Sequence, residues 1–402
     1  MASPRHRWLP ALAFALPLLG CADETVWVPT CDDGVLDAGE LCLGGALRSI
    51  EPALEPHALR VADFDGDEHE DLMIIGLGPT VTAELWRGVE TAGGEVLFDA
   101  PLDPGVYGCS AHPVPGQLGA RLNARTTDIL FSTCQPKLHL FSPGADGRFG
   151  QVDDLPLVGL PRTTKIVDVD GDERADVVAL VWRPENEELQ SLNVLLGDGA
   201  HGLVGTVETS LAGYDFAPTN LAIGDVDGDG LRDAILLERE RVDGLRVAHN
   251  IGGGGFSRPR PLFDMPAPCA IAAGDLDGDG ADEVVVGDLS ANLLVALKTR
   301  GAPAPAVVGA IIPPAPSEAP AYIALADLTN DETLDVVLLA VDSPRVWIAK
   351  GRGDGSFNPP AVLEFETPVH QVALADVNGN GATDVVAGTF DSGTVTIRLA
   401  SP

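Results

Sequence analysis

The chain is poor in basic residues. It has 25 lysines and arginines against 60 aspartates and glutamates, and its formal net charge is −35. Such a surface repels nucleic acid and anionic membranes, so neither is an expected partner. Intrinsic disorder is also excluded, because 45% of the residues are hydrophobic and they fall in regular, strand-like runs. The acidic excess therefore belongs to a folded protein.

Helical periodicity and catalytic signatures are missing as well. No long segment repeats its apolar residues with a 3.6-residue period, and Gly and Pro interrupt every candidate helix. The sequence has no Gly-x-Ser-x-Gly elbow, no His-Glu-x-x-His helix and no phosphate-binding glycine loop. These absences predict an all-β protein without catalytic residues.

An apolar run at Leu9–Leu19 is too short to span a bilayer as a mature helix. It follows Arg5 and Arg7, as in a signal peptide. It ends in Leu18-Leu19-Gly20-Cys21, which resembles the lipobox of bacterial lipoproteins. The resemblance implies a signal peptide of residues 1–20 and acylation of Cys21, with a plain secretory signal as the alternative. We expect export and attachment to the bacterial envelope by lipid alone. The outer membrane is favoured, and the protein is then periplasmic or surface-exposed.

Cysteines are few, and export makes those after Cys21 candidates for disulfides. Cys31 and Cys42 bracket a segment that resembles a Cys-Gly-Asp-Gly…Gly-Glu-x-Cys motif of bacterial surface proteins, except that Asp replaces the first Gly. The resemblance implies a Cys31–Cys42 disulfide inside a tether of residues 21–43. Cys109 and Cys134 flank a repeat and form a second candidate pair, which leaves Cys269 as a buried thiol.

One frame recurs seven times: an apolar stretch, a short turn, and an Asp that leads into a second apolar stretch. The frames start near positions 63, 120, 168, 225, 275, 327 and 376, a step of about 50 residues. A period of this size indicates stacked repeats. Each frame divides into four short β-rich segments separated by turn residues, as one antiparallel propeller blade does. In the fourth frame these segments are 221–224, 234–237, 245–249 and a run that starts at Phe256.

Six of the seven turns carry the oxygen ligands of a calcium loop. Calcium takes six to eight oxygens, and each turn offers side chains at positions 1, 3, 5 and 9 and a carbonyl at position 7. In chain order the predicted ligands are Asp63, Asp65, Asp67, His69 and Asp71; Asp168, Asp170, Asp172, Arg174 and Asp176; Asp225, Asp227, Asp229, Leu231 and Asp233; Asp275, Asp277, Asp279, Ala281 and Glu283; Asp327, Thr329, Asp331, Thr333 and Asp335; and Asp376, Asn378, Asn380, Ala382 and Asp384. The last set has two carboxylates and ranks weakest. The second turn, 120–128, keeps the frame without the ligands and is predicted to hold no metal.

Other acidic loops fit less well. An EF-hand requires Glu at position 12 with flanking helices, and position 12 is apolar in all six turns. The pattern Asp-x-Asp-Gly-Asp-Gly-x-x-Asp between apolar strands, followed by Gly-Asp-Gly-Ser-Phe-Asn-Pro-Pro, resembles the FG-GAP/VCBS repeat of integrin α-chain propellers and bacterial surface proteins. Glu68, Glu173 and Glu332 depart from this pattern at loop position 6.

The resemblance covers about residues 44–400 and implies a seven-bladed β-propeller of four-stranded antiparallel blades. It places calcium, up to six structural ions here, between the first two strands of a blade. The propeller domain is then 44–402. Because the chain stops after a third strand, we expect the segment Gly44–Pro52 to supply the outer strand of the last blade and close the ring.

The face of the disc away from calcium is the predicted partner surface, as the resemblance also implies. Aromatic and His side chains on loops often form binding hot spots. The candidates in or beside the loops of this face are Tyr107, His112, Tyr214, Phe216, Tyr322 and His370. Packing of the connections is the alternative role for these side chains. We therefore expect a non-catalytic monomer that binds a protein or glycan. A polysaccharide lyase or hydrolase on the same scaffold, or a scaffold subunit of an envelope complex, are the alternatives.

Overall fold

A computed structural model describes residues 47–76, 80–90, 96–99, 101–104, 107–109, 118–120, 128–132, 135–144, 148–183, 186–199, 202–212, 217–239, 241–290, 293–300, 305–311, 320–340, 342–389 and 393–400. Across these ranges the chain forms β-strands and no α-helix. Accordingly, no helix of these ranges could cross a membrane. The predicted signal peptide, Cys21, the tether and its Cys31–Cys42 pair lie outside the described residues, as does Cys134.

Seven four-stranded antiparallel sheets form the blades of a propeller, which are numbered here in chain order of their first strands. From the innermost strand outwards, the strands are Pro56–Ala62, Asp71–Gly76, Thr80–Trp86 and Tyr107–Cys109 in blade 1; Leu118–Ala120, Asp128–Ser132, Lys137–Pro143 and Phe149–Pro156 in blade 2; Leu160–Val167, Asp176–Arg183, Asn186–Gly197 and Leu203–Ser210 in blade 3; Asn220–Gly224, Asp233–Leu237, Leu245–Ala248 and Arg260–Phe263 in blade 4; Pro268–Gly274, Glu283–Asp288, Leu293–Lys298 and Ala306–Ile311 in blade 5; Pro320–Ala326, Asp335–Ala340, Arg345–Ala349 and Ala361–Glu364 in blade 6; and Gln371–Ala375, Asp384–Thr389, Thr394–Arg398 and Leu47–Ile50 in blade 7. The all-β, seven-bladed prediction is confirmed.

The ring closes as the sequence predicts. Leu47–Ile50 pairs antiparallel with Thr394–Arg398, so the N-terminal strand is the outer strand of blade 7. The first strands of blades 1 to 6 contact one another in turn, the first strand of blade 7 contacts that of blade 1, and blades 6 and 7 share a buried cluster, which places the first strands around the central axis. Closure leaves no blade without a neighbour on either side.

Seven buried apolar clusters fill the spaces between neighbouring blades. The second strand of each blade supplies both of its neighbouring clusters, because successive side chains of a strand point to opposite faces. In blade 6, for example, Val337 belongs to the cluster shared with blade 7 and Leu338 to the cluster shared with blade 5. A strand that is buried on both faces reads as a continuous apolar run, as the sequence does here.

Two details differ from the sequence-based expectation. Blade 1 carries an additional hairpin, Gly88–Glu90 paired with Val96–Phe98, between its third and fourth strands. The expected fourth-strand start at Phe256 is also wrong, because Phe256 only forms a bridge with Asn250 and packs into the cluster between blades 3 and 4. The fourth strand of blade 4 begins at Arg260.

Candidate functional site

The acidic turns share one backbone shape, which is set by two left-handed residues. Position 4 has a positive φ in all six predicted calcium loops; it is Gly in five of them and Asn330 in blade 6. Position 6 is Gly230, Gly280 or Gly381 in three loops. In the other three it is Glu68, Glu173 or Glu332, with φ of 72°, 64° and 65°. The predicted departures from the repeat pattern therefore lie where a side chain is strained.

The first Asp of each turn holds the loop closed by accepting backbone hydrogen bonds. Asp225 shows the pattern: its Oδ1 accepts from the N–H groups of Gly228 at 2.8 Å and Asp229 at 3.1 Å, and its Oδ2 accepts from Gly230 at 2.8 Å. Position 5 accepts in turn from position 7, as Asp229 does from Leu231 at 2.8 Å. These Asx-type bonds explain why short acidic side chains occupy positions 1 and 5.

The acid at position 9 opens the second strand and is buried in every described blade. Asp71 Oδ2 accepts from the N–H of Phe64 at 2.9 Å and its Oδ1 from the N–H of Gly88 at 2.8 Å. This carboxylate thus joins the loop to Gly88, two residues after the end of the third strand. The close approach requires glycine at position 88, since a Cβ there would lie 2.4 Å from the carbonyl oxygen of Glu70.

Burial raises the pKa of these position-9 acids, and the backbone hydrogen bonds offset only part of the effect. The pKa values rise to about 7 for Asp71, Glu283 and Asp384 and to about 6 for Asp233 and Asp335. A cation close to these groups would stabilise their charged form.

The side chains of four loops fit a hard divalent cation. Carboxylate oxygens lie within 4.8 Å of one another in the sets Asp63, Asp65 and Asp71; Asp168, Asp170 and Asp176; Asp225, Asp227 and Asp229; and Asp275, Asp277 and Asp279. Three oxygens at position 3 are buried and meet no donor among the described residues: Oδ1 of Asp65, Oδ1 of Asp277 and Oγ1 of Thr329. An oxygen buried in this way is costly unless a cation or donor meets it. The donor set, which is all oxygen and mostly carboxylate, is the set that calcium prefers.

Basic residues at the end of the third strand reach into four of the loops, and the sequence analysis did not identify them. Lys298 Nζ contacts Asp277 and lies 2.8 Å from Asp279 Oδ2 in blade 5. Lys350 Nζ lies 3.0 Å from Asp331 Oδ2 in blade 6. In blade 4 His249 Nδ1 lies 3.2 Å from Asp233 Oδ2, and in blade 1 Arg87 lies 3.8 Å from Asp65. The recurrence of a basic residue just after the last apolar residue of the third strand is a signal that could have found them.

The remaining loops are weaker cation sites. Among the described side chains, the loops of blades 6 and 7 assemble no set of three carboxylates as close as those above. In the blade 7 loop the amide of Asn380 donates to the carbonyl of Ala400 at 2.9 Å. In blade 2 only the ends of the turn are described, and buried Asp128 accepts from the hydroxyl of Ser142. Asp128 shows that the position-9 acid is retained for the fold in a turn that has lost its other ligands.

Three of the six predicted partner residues lie within the described part of the chain. Tyr322 is 38% exposed and lies in the innermost strand of blade 6, beside the connection from blade 5. His370 lies on the connection into blade 7, and its Nε2 is 3.9 Å from Asp342 Oδ1. Tyr107 falls in the outer strand of blade 1. His112, Tyr214 and Phe216 lie outside the described residues.

The innermost strands of blades 3 to 6 enclose a cavity of about 360 Å³ on the propeller axis. Its polar lining includes Lys165, Asn220 and Tyr322, and most of the remaining wall is alanine, isoleucine and other aliphatic side chains. Cys269 stands nearby at the blade 5–6 contact as a buried thiol, with its Sγ 2.9 Å from the carbonyl oxygen of Pro320.

Comparison with known proteins agrees with this architecture. The sequence matches the FG-GAP-like repeat family over residues 225–286 and 327–387, each match running from one acidic loop to the second strand of the next blade. The comparison with curated proteins found no match. The fold and its loops define the class as a seven-bladed β-propeller. The chain carries FG-GAP-like repeats on this propeller.

Solved structures share the fold at low sequence identity. BBS1N, from a crystal structure of its complex with ARL6DN, aligns with a TM-score of 0.58 and 14% identity, over 88% of this chain and 96% of that chain. A lectin of Agrocybe aegerita that recognises non-reducing terminal N-acetylglucosamine aligns with a TM-score of 0.56 and 16% identity, over 78% of this chain and 81% of that chain. At such identities the likeness establishes the fold alone.

Proposed function

We propose that this protein is a non-catalytic binding propeller whose fold is stabilised by calcium and which captures a protein or glycan at the bacterial envelope. The observation that carries the calcium part is the meeting of three carboxylate oxygens within 4.8 Å in four separate loops. Position-3 oxygens without a donor, such as Asp65 Oδ1 and Asp277 Oδ1, add to it. An ion that binds the folded state stabilises that state by mass action.

We expect calcium to fill first the loops that offer the most carboxylates and that have the fewest basic side chains in contact with those carboxylates. The blade 3 loop ranks first, because no described third-strand base contacts it and its described cation contact is an exposed one, Arg174 at 3.4 Å from Asp172. The blade 5 loop offers as many carboxylates but already holds Lys298. The blade 7 loop, with two carboxylates, ranks last. The number of bound ions should therefore depend on the calcium concentration, up to six.

The proposal of partner binding rests on the fold and on the solved structures that share it. A propeller of this fold stands in complex with ARL6DN in one case and recognises N-acetylglucosamine in another. The acidic loops and the turns that follow the third strands occupy one face here, as the Asp71–Gly88 bond illustrates. The opposite face, which includes the connection with His370, is the surface that we assign to the partner.

Lipid anchoring through Cys21 completes the proposal, with attachment to the outer membrane favoured. It rests on the lipobox-like Leu18-Leu19-Gly20-Cys21 after an apolar run. Expression of the full chain in a bacterial host fed with radiolabelled palmitate should label the protein, and Cys21→Ser should abolish labelling. Equal labelling of the variant would contradict the anchor.

The binding function is tested with the purified protein in calcium and in EDTA, on a glycan array and as bait for a solubilised envelope extract. The proposal predicts one reproducible glycan class or protein that is retained in calcium and lost in EDTA. His370→Ala should weaken retention of the partner without changing the melting temperature. The matched substitution His139→Ala on blade 2 should leave retention unchanged. A folded, calcium-loaded protein that retains nothing on either support would contradict the binding function.

A further inference from the structure

The innermost strands of this acidic protein contain no acidic residue. The seven segments that surround the axis hold none of the 60 aspartates and glutamates, yet they hold Arg60, Arg162 and Lys165. A protein with a net charge of −35 thus has a lining of opposite sign at its centre. A field of this kind, enclosed by low-dielectric walls, concentrates anions.

Two of these cations lie together without a carboxylate partner among the described residues. Arg60 donates a hydrogen bond from Nη1 to the carbonyl oxygen of Leu59 at 2.6 Å, and its other N–H groups have no partner among the described residues. Lys165 lines the axial cavity and has no hydrogen bond or ion pair within the described part of the chain. The two charges repel each other across the axis, and Tyr322 lies within electrostatic reach of Arg60.

Such an arrangement is unfavourable in the absence of a ligand. Burial lowers the pKa of Lys165, and the nearby charge of Arg60 lowers it further. Burial also lowers the pKa of Arg60. Two partly buried like charges that meet no counterion among the described residues cost stability, and a bound anion would relieve that cost.

The apolar walls of the cavity place a second requirement on the ligand. Beside Lys165, Asn220 and Tyr322, the lining consists of small and aliphatic side chains, for example Ala222, Ala272 and Ile323. The volume of about 360 Å³ lies at the lower end of the roughly 300–1,000 Å³ range of small-molecule sites. An inorganic anion would satisfy the charges but leave the apolar wall uncovered.

We propose that the axial channel binds a small organic carboxylate with a short aliphatic body. Its carboxylate would pair with Lys165 and Arg60, and a charge-assisted hydrogen bond of this kind is among the strong ones in proteins. The hydroxyl of Tyr322 and the amide of Asn220 are placed to donate or accept at the polar end, and the alanine and isoleucine wall covers the carbon chain. This site is separate from the acidic loops, and it places Tyr322, one of the predicted partner residues, in the lining of the channel.

Calorimetric titration of the purified full chain tests the ligand class. Acetate, butanoate and hexanoate are compared with the neutral amides of the same length and with inorganic phosphate, all in calcium. We expect butanoate or hexanoate to bind and the amides to produce no binding heat. Phosphate that binds as well as the carboxylates would overturn the assignment of an organic ligand. Absence of binding by all three carboxylates would overturn the site.

Variants separate this role from a structural one. Lys165→Met keeps the aliphatic stem and should weaken carboxylate binding by at least about tenfold, because a hydrogen bond to a charged group is lost. The same variant should melt at a higher temperature than the parent without ligand, since a buried unpaired charge is removed. If Lys165 instead offsets the charge of the acidic loops, Lys165→Met melts at a lower temperature and binding is unchanged, which would refute the proposal. Arg260→Gln, on an exposed outer strand, is the matched control and should change neither quantity.

Discussion

At the scale of single residues, position 6 of the acidic turns sets a conformational cost that differs between blades. Glu173 holds a φ of 64°, whereas Gly230 holds the same place in blade 4 with a φ of 87°. A residue with a Cβ is strained in the left-handed region of backbone conformation, whereas glycine is not. Space is not the limitation, because a Cβ at Gly230 would meet no atom within 4 Å.

Glu173→Gly should therefore stabilise the protein by about 1 kcal/mol, and the reciprocal Gly230→Glu should destabilise it by a similar amount. Chemical unfolding in EDTA measures both, so that bound metal does not contribute. If both variants unfold at the denaturant concentration of the parent, the left-handed backbone carries no cost at this position.

A second residue-scale feature is the ammonium of Lys298, which already neutralises the blade 5 loop. Its contacts with Asp277 and Asp279 raise the pKa of Lys298 well above its usual range and lower that of Asp279. A cation in the same place has to displace the ammonium, so the two compete for the same oxygens.

Lys298→Met should increase the calcium affinity of this loop by about tenfold, which corresponds to about 1.4 kcal/mol. The variant should also be less stable than the parent in EDTA, because Asp277 loses its counterion. Calcium titration by calorimetry gives the first quantity and thermal melting the second. The control is Lys137→Met, which breaks a 2.7 Å ion pair with Asp154 away from the acidic loops. An affinity gain of the same size in Lys137→Met would refute local competition.

At the scale of elements, the strand Leu47–Ile50 joins the two ends of the chain. Ile50 packs in the cluster between blades 7 and 1 with Val395 and Ile397, whereas neighbouring Ser49 is exposed. The strand therefore contributes apolar contacts as well as the ladder to Thr394–Arg398.

Ile50→Asp should destabilise the protein by at least about 2 kcal/mol, because it buries a charge between two blades. Ser49→Asp, on the opposite face of the same strand, should change stability by less than about 0.5 kcal/mol. Urea unfolding followed by tryptophan fluorescence compares them. Equal stability of the two variants would mean that ring closure does not depend on this strand.

The elements that the sequence could predict are those with a local signal. The acidic turns, the apolar strands on each side of them and the closing strand each follow from a pattern within about ten residues. The hairpin Gly88–Glu90 with Val96–Phe98 was missed because it interrupts one repeat only. The fourth strand of blade 4 was placed too early, since Phe256 is apolar because it packs between blades, not because it pairs in a ladder.

The candidate sites, like the strands, could be predicted only where their residues lie close together in the sequence. Carboxylates that meet in one turn are visible in the sequence, and the structure brings together those of blades 1, 3, 4 and 5. Lys298 meets Asp277 only through strand pairing, and Arg60 meets Lys165 only across the axis of the ring. Contacts between strands that lie far apart in the chain carry no local pattern, so the channel could not be predicted from the sequence.

At the scale of the whole molecule, the buried acids of the loops make the metal-free propeller sensitive to pH. Burial raises the pKa of Asp71 and Asp384 from 3.8 to about 7, so the folded state holds these protons more tightly than the unfolded chain does. The resulting stability is present below pH 4 and is lost as the pH rises through about 7.

In EDTA, the melting temperature should accordingly fall between pH 5 and pH 8, and saturating calcium should reduce this fall because the ion replaces the protons. Differential scanning calorimetry across this range, in buffers of equal ionic strength, measures both curves. A metal-free protein that becomes more stable from pH 5 to pH 8 would contradict the raised pKa values.

The most direct test of the account is a thermal melt of the full protein during calcium titration at pH 7.5. We predict that the melting temperature rises with calcium, because each loop filled at a hundred times its dissociation constant adds about 2.7 kcal/mol. EDTA should reverse the rise, and magnesium at the same concentration should have a smaller effect. A melting temperature that is the same in calcium and in EDTA would contradict a calcium-stabilised propeller.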